Sequence, residues 1–195
     1  MKQTFLLALL LIITTKSFSQ DSKFSLELNF PVPMDENFVG KNYNGIIDFG
    51  LKYRFTNLDF LNIGTSFNAS ILKNVKDDEF QPFEVTAFAI QPKLFTELNS
   101  ETISKCHPSI GIGYTFIIFN ASGVAGFDPE HPNSSNSSKT ESGINLNFGF
   151  AYDINNKLFA QVQYDFVKIN VDRNIPDIKY NTNVNILKIG LGYQL

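Results

Sequence analysis

The sequence contains no tryptophan, one cysteine and two histidines among its 195 residues. Because Cys106 has no second cysteine to pair with, an internal disulfide is excluded. Two histidines also leave little scope for a histidine-rich metal site. The chain has no run of basic residues and a formal net charge of −3, which argues against nucleic-acid binding and against a polybasic membrane patch. Beyond the N-terminus, no apolar run approaches the length of a transmembrane helix.

The first twenty residues, MKQTFLLALLLIITTKSFSQ, have the layout of a secretory signal peptide. Lys2 forms a short basic region, and residues 5–13 form an unbroken apolar run. Ser17 and Ser19 then place small residues at positions −3 and −1 of a cut before Gln20. The apolar run is less than half of the about twenty residues that a transmembrane helix needs, so we expect export with cleavage.

The predicted signal peptide covers residues 1–19, and the predicted mature domain covers residues 20–195. Removing Lys2 and Lys16 leaves 14 basic and 19 acidic residues, a net charge of −5. The mature chain is long enough for one domain with a closed core. Twenty phenylalanines and seven tyrosines are a heavy aromatic load for an exported chain without disulfides. Stability must therefore come from the fold and its surroundings.

Large apolar residues alternate with small or polar ones along most of the mature chain, which is the period of a β-strand with two different faces. The alternation recurs in eight stretches, and no stretch has a convincing helical period. The stretches have 8 to 13 residues and predict strands of roughly nine to eleven, the length that crosses a bilayer at about 45° tilt. The stretches are residues 23–30, 46–55, 60–71, 83–95, 108–119, 143–152, 158–166 and 183–195.

The connections between these stretches alternate in length. Those after odd-numbered stretches are long and rich in Asn, Ser, Asp, Pro and Gly, whereas two of the three after even-numbered stretches are tight. Long loops at one rim and short turns at the other are typical of outer-membrane barrels. The long connections are 31–44, 73–82, 120–142 and 170–183, the tight ones are 56–59 and 153–157, and the third is a looser segment at about 96–106.

The two faces of the predicted strands differ in size and polarity. One face consists of large apolar side chains, which are too bulky for all eight strands to direct into one small lumen. The other is mostly Gly, Ser, Asn and Ala, which suit the cramped interior of an eight-stranded barrel. We therefore expect the bulky face to contact lipid and the polar face to point inward, where opposite charges pair and plug the bore. The charged residues on the polar face are Glu27, Asp48, Asp165, Lys52, Arg54, Lys93 and Lys188.

The chain ends on a stretch whose large residues alternate with Lys188, Gly190 and Gly192. We expect this last strand to pair with the first, so that no backbone edge is left in hydrocarbon. Aromatic residues near the strand ends are then placed at one rim, predicted to be periplasmic, where amphipathic rings lie at headgroup level. These residues are Phe24, Tyr53, Phe55, Tyr152 and Tyr193.

Three motifs, SFSQ at the cleavage site, HPSIGIGYTF in the centre and KIGLGYQL at the end, together resemble the small eight-stranded outer-membrane β-barrel domain family. The resemblance spans essentially the whole mature chain and leaves its PorT-like members open as a subgroup. It implies a location in the outer membrane of a Gram-negative bacterium. It also implies insertion by the barrel-assembly machinery, which reads an aromatic-ended last strand. Here the last residue is Leu195 rather than the usual Phe, and Tyr193 lies two residues before it.

Both histidines have an acidic or thiol neighbour that suggests a site. His107 follows Cys106, but adjacent residues on an extended chain point to opposite faces, and no further metal ligand has suitable spacing. His131 lies near Asp128 and Glu130, but the segment has no calcium-loop pattern. We expect a rim position for the first pair and a solvated loop for the second, and hence no catalytic, cofactor-binding or metal-binding residues.

The sequence therefore predicts an all-β protein, an eight-stranded antiparallel up-and-down transmembrane β-barrel with four extracellular loops. Its predicted role is structural or surface-interactive and not enzymatic. The predicted partners are outer-membrane lipids, the barrel-assembly machinery and an unidentified ligand or protein at the loops.

Two alternatives remain open from the sequence. The first is a soluble lipocalin-like carrier of a small apolar ligand, in which the apolar face would point inward. The second is a lipid-modifying outer-membrane enzyme. Barrel-type lipid A deacylases carry a His–Ser pair on the lipid-facing wall, whereas neither histidine of this chain lies on an apolar face.

Overall fold

A computed structural model describes residues 23–58, 60–75, 84–99, 104–122, 136–171 and 175–195. Within these ranges, eight antiparallel strands form one closed barrel in sequential order, which confirms the predicted fold class. The strands are β1 (Phe24–Met34), β2 (Tyr43–Leu58), β3 (Leu61–Asn74), β4 (Glu84–Leu98), β5 (Cys106–Ser122), β6 (Asn136–Asp153), β7 (Leu158–Asn170) and β8 (Asn183–Gln194). The predicted signal peptide lies outside the described residues, as does His131 with Asp128 and Glu130.

Two short helices lie in connections that follow odd-numbered strands: α1 (Phe38–Asn42) and α2 (Lys179–Thr182). The side chain of Asn37 caps α1 by accepting a hydrogen bond from the backbone N–H of Gly40 at 2.8 Å. This cap fixes the helix so that Val39 is buried at the end of the barrel. In the part of the chain that the structure describes, no helix is long and apolar enough to span a membrane.

The strands are longer than the sequence predicts. They have 11 residues in β1 and 18 in β6, so the predicted length of nine to eleven is wrong for most of them. Backbone pairing continues past the alternating pattern, because ladder hydrogen bonds do not depend on side-chain polarity. The polar segment Asn136–Ser142, for example, pairs with the end of β5. The predicted long connections are correspondingly too long at 31–44 and 120–142, whose ends belong to strands.

The first and last strands pair and close the barrel, as predicted. Their register sets Leu26 opposite Tyr193 and Leu28 opposite Leu191. The final residue also takes part, since the N–H of Leu195 donates to the backbone oxygen of Phe24 at 3.0 Å. No strand edge is therefore left open between β1 and β8.

The large apolar face points outward and the small polar face points inward, as predicted. Leu191 is 50% exposed, whereas Lys188, which has the opposite parity on the same strand, is fully buried. The same alternation appears in β3, where Ser66 and Asn68 are buried and Phe67 is exposed. An apolar outer surface of this extent, over all eight strands, is the reverse of a soluble barrel.

Aromatic residues gather at the end of the barrel that carries the short turns and the C-terminus. The rings of Phe24 and Tyr53 lie 4.5 Å apart between centroids, on paired positions of β1 and β2. Phe55, Tyr152 and Tyr193 are each exposed near the same end. The five predicted rim residues therefore share one rim, and its assignment to the periplasmic side stays a prediction.

Candidate functional site in the barrel interior

Four buried charged residues form the centre of the interior, and we call them the central ion cluster: Asp48, Lys93, Asp165 and Lys188. Lys188 Nζ lies 2.9 Å from Asp48 Oδ2 and 3.0 Å from Asp165 Oδ2. Lys93 Nζ lies 3.1 Å from Asp165 Oδ1. Because the four residues belong to β2, β4, β7 and β8, the ion pairs join strands from opposite sides of the barrel.

Neutral polar side chains complete the coordination of the buried carboxylates. Asp48 Oδ1 accepts hydrogen bonds from the side-chain amides of Asn29 and Asn68, at 2.8 and 2.9 Å. Asp165 Oδ1 accepts one from the Asn147 amide at 2.9 Å. Burial of a charge is costly unless it is both paired and hydrogen-bonded. The Asn residues on the inward face of the strands therefore stabilise the buried carboxylates by donating hydrogen bonds to them.

Two further ion pairs lie between the central ion cluster and the short-turn end. Lys52 Nζ lies 2.8 Å from Glu27 Oε1, and Gln163 donates to the other oxygen of that carboxylate at 2.9 Å. Arg54 makes a two-bond contact with Glu97, at 2.8 Å through Nε and 3.0 Å through Nη2. Such a bidentate pair is stronger and more directional than a single bond.

Glu97 is a member of this network that the sequence analysis missed. The sequence pattern places Glu97 in the loose connection at about 96–106, whereas β4 continues to Leu98. The sequence does indicate an inward position for Glu97, because this residue lies four residues after Lys93 and so has the same strand parity. With Glu97 included, four acidic side chains balance four basic ones in the described interior, and the network is neutral. The acids are Glu27, Asp48, Glu97 and Asp165, and the bases are Lys52, Arg54, Lys93 and Lys188.

Two phenylalanine rings also point inward near the short-turn end, which the sequence analysis did not predict. Phe95 and Phe159 are 4% and 2% exposed. Each ring lies against a glycine: a Cβ added to Gly64 would come within 2.6 Å of Phe95, and one added to Gly192 would overlap the Phe159 ring. Glycine is required at both positions because the ring occupies the space that a side chain would fill.

The other half of the interior is apolar, so the predicted polar lumen is wrong for the end that carries the long connections. We call this buried set the apolar layer. Burial of such side chains stabilises the barrel by about 25 cal/mol per Å² of apolar surface. Most of these residues lie beyond the alternating stretches or among the small residues of the polar face. The apolar layer consists of Val39, Tyr43, Leu72, Ala87, Ala89, Ile117, Val167, Ile169, Val184 and Ile186.

Cys106 and His107 lie at the start of β5, on opposite faces as predicted. Cys106 pairs with the exposed Tyr152, whereas His107 pairs with the buried Ala151. His107 Nε2 lies 2.9 Å from Asp153 Oδ2, a contact that the sequence analysis did not foresee. No group of three or more His, Cys, Asp and Glu residues suited to a metal occurs within the described ranges. The absence of a catalytic, cofactor or metal site stays a prediction.

Several bacterial proteins of known structure share this fold. Ail, the attachment invasion locus protein of Yersinia pestis, matches with a TM-score of 0.55 and 12% identity, over 87% of this chain and 95% of that one. Neisserial surface protein A matches with a TM-score of 0.55 and 13% identity, over 89% of this chain and 98% of that one. The N-terminal β-barrel domain of Pseudomonas aeruginosa OprF matches with a TM-score of 0.53 and 12% identity, over 89% of this chain and 97% of that one. At these identities the similarity concerns the fold alone.

Sequence comparison places the chain in a family. No curated protein sequence matches significantly. The family described as outer membrane protein beta-barrel domain matches residues 5–194, almost the whole chain. This match does not distinguish the PorT-like subgroup, which stays a prediction. The closed eight-stranded barrel, its apolar outer face and this match agree with each other. The chain belongs to the outer membrane protein β-barrel domain family and is located in the cell outer membrane.

Proposed function

We propose that this protein is a structural and surface-interaction barrel whose lumen is plugged by its own side chains. It acts through its lipid-facing wall and its loops, and it neither conducts solutes nor catalyses a reaction. The observation that carries this proposal is the central ion cluster. Its four members are at most 3% exposed and bridge strands on opposite sides of the barrel.

Each half of the interior blocks the lumen in a different way. Eight strands leave a bore just wide enough for inward side chains. Toward the short turns, that bore holds the neutral network of four acids and four bases. Toward the long connections, it holds the apolar layer, which α1 extends through Val39. A hydrated ion would have to break buried ion pairs and then cross an apolar segment, so steady conduction is unfavourable.

The long connections are the part of the protein that we propose faces the cell exterior. They follow β1, β3, β5 and β7 and therefore lie at one end of an up-and-down barrel. Outer-membrane barrels have short periplasmic turns and longer extracellular loops. On this assignment, the four connections that follow β1, β3, β5 and β7 are the extracellular loops, which present the protein to a partner or ligand. The aromatic rim with Tyr193 then lies on the periplasmic side.

Pure protein in a planar bilayer tests the closed lumen. We expect no large, steady conductance, because the buried ion pairs and the apolar layer occupy the bore. A mock preparation from cells that express the chain without Tyr193–Leu195 serves as the control for contaminating porins. An open, long-lived conductance that is present with the full chain and absent from this control would contradict the plugged lumen.

The mature protein is proposed to begin at Gln20, after export and removal of residues 1–19. Intact-mass spectrometry of the protein from outer-membrane fractions should give the mass of residues 20–195. The reason is the short apolar run of residues 5–13, followed by Ser17 and Ser19 at the cut site. Recovery of outer-membrane protein that retains Met1 would show that the segment is not a cleaved signal peptide.

A further inference from the structure

A cavity of about 290 Å³ lies at the end of the barrel that carries the long connections. Its floor is the edge of the apolar layer, through Tyr43 and Ile169, which are both 5% exposed. Phe119 and Val171 pack against the same layer and form part of the wall. The cavity therefore lies directly against the buried apolar layer.

Aromatic rings hold the cavity open between strands that are not neighbours. Tyr43 begins β2 and Phe119 lies near the end of β5, and their ring centroids are 5.6 Å apart. Phe38 of α1 adds a third ring, 6.2 Å from Phe119 in an edge-on arrangement. Because β2 and β5 are separated by two strands, these contacts span the bore. Such edge-on and tilted contacts are favourable at these distances and define a fixed aromatic wall.

One side of the cavity is polar and is lined by one basic and one acidic residue. Lys139 and Glu141 are both on β6, two residues apart, and therefore share a face. Lys139 Nζ lies 2.7 Å from Glu141 Oε1, and the Glu141 side chain is only 11% exposed. Asn181 adds an amide to the same lining. The two charged residues of the lining have opposite signs, so this side offers hydrogen-bond donors and acceptors without an excess of one charge among the lining residues.

We propose that this cavity binds a small neutral molecule that is mainly aromatic or apolar and carries one hydroxyl or amide group. The rings and Ile169 accommodate the apolar body, and the Lys139–Glu141 pair hydrogen-bonds the polar group. The volume lies at the lower limit of the about 300–1,000 Å³ found for drug-sized ligands, so the molecule is smaller than those. The site goes beyond the proposed function. It is a binding site and not a passage, because the central ion cluster lies between it and the other rim.

Binding of 2-naphthol to the protein in nanodiscs, followed by saturation-transfer NMR, tests this assignment. We expect saturable binding to the wild type. Val171→Phe should weaken it at least tenfold, because the larger side chain fills the cavity beyond the end of β7. Val162→Phe is the matched control, since it makes the same change on the exposed outer face of β7 and should leave binding unchanged. Phe119→Leu is a second variant that removes a wall ring and should also weaken binding.

The charge class of the ligand is tested with naphthalene-2-sulfonate, which has the same ring system and a negative charge. It should bind at least tenfold more weakly than 2-naphthol. Heat-modifiable gel mobility confirms that each variant is folded before binding is measured. Non-saturable uptake that is equal in wild type, Val171→Phe and Phe119→Leu would mean partition into the bilayer and would overturn the site. Tighter binding of the sulfonate would overturn the neutral ligand class.

Discussion

Replacement of Lys188 by methionine is expected to destabilise the barrel by about 3–5 kcal/mol, since loss of one partner leaves buried charge uncompensated. Lys188 is fully buried and pairs with both Asp48 and Asp165. Asp165 would retain Lys93, but Asp48 would retain only neutral hydrogen-bond donors. Because the chain has no tryptophan for fluorescence, the folded fraction against urea is best measured by heat-modifiable gel mobility.

Two further variants show whether the effect comes from the buried charge. Lys41→Met removes an exposed lysine, whose partner Glu36 is also exposed, and should change stability by no more than about 0.5 kcal/mol. Lys188→Met combined with Asp48→Asn should recover part of the lost stability, because the carboxylate left without a cation is neutralised. If Lys188→Met is no more destabilising than Lys41→Met, the central ion cluster does not support the barrel.

Leu191→Arg should impair assembly, because it places a charge on the lipid face of the closing strand. Leu191 is half exposed on the outer surface and lies opposite Leu28. The expected cost is about 2–4 kcal/mol at the bilayer midplane and less near an interface. Leu191→Ile is the control that keeps the face apolar. The amount of heat-modifiable, protease-resistant barrel in outer-membrane fractions measures the effect.

The neighbouring position tests the opposite face of the same strand. A side chain at Gly190 would meet the backbone oxygen of Leu28, so Gly190→Leu should cost about 1–3 kcal/mol by overpacking. Removal of Tyr193–Leu195 should be worse in cells than either substitution. It deletes the bond from Leu195 to Phe24 and the aromatic end that the barrel-assembly machinery is expected to read. Wild-type assembly of both Leu191→Arg and the truncated chain would contradict the lipid-facing assignment.

The alternation of bulky with small or polar side chains, with a period of two residues, made most of the fold predictable from sequence. Each strand has one bulky face and one small or polar face, so the inward position of Asp48, Asp165 and Lys188 follows from parity together with the size of an eight-stranded bore. The closure of β8 on β1 follows from the need to satisfy every backbone group in lipid. Both inferences rest on strong physical constraints, and both are confirmed.

Apart from Glu97, which lies beyond the predicted end of its strand, the missed inward residues are those for which parity and side-chain character disagree. Phe159 has the parity of Gln161 and points inward, although its size suggests the outer face. Its ring fits only because Gly192 across the pair has no side chain. Ile186 has the parity of Lys188, but it is apolar and the preceding Asn185 is polar, so the alternation is reversed at this point of the strand. The exact pairs, such as Arg54 with Glu97, depend on register and strand length, which composition does not reveal.

Near-isosteric cysteines on the two faces of β3 test most directly whether the outer face meets lipid and the interior is closed. In a Cys106→Ser background, Ser66→Cys lies inside, and Ala69→Cys lies outside. In native protein in bilayers, we predict that the cysteine at 66 resists a small water-soluble methanethiosulfonate until the barrel is unfolded. A fluorophore attached at 69 should be quenched by brominated lipid and not by aqueous iodide. Rapid native labelling at 66, or quenching at 69 by iodide alone, would contradict the account.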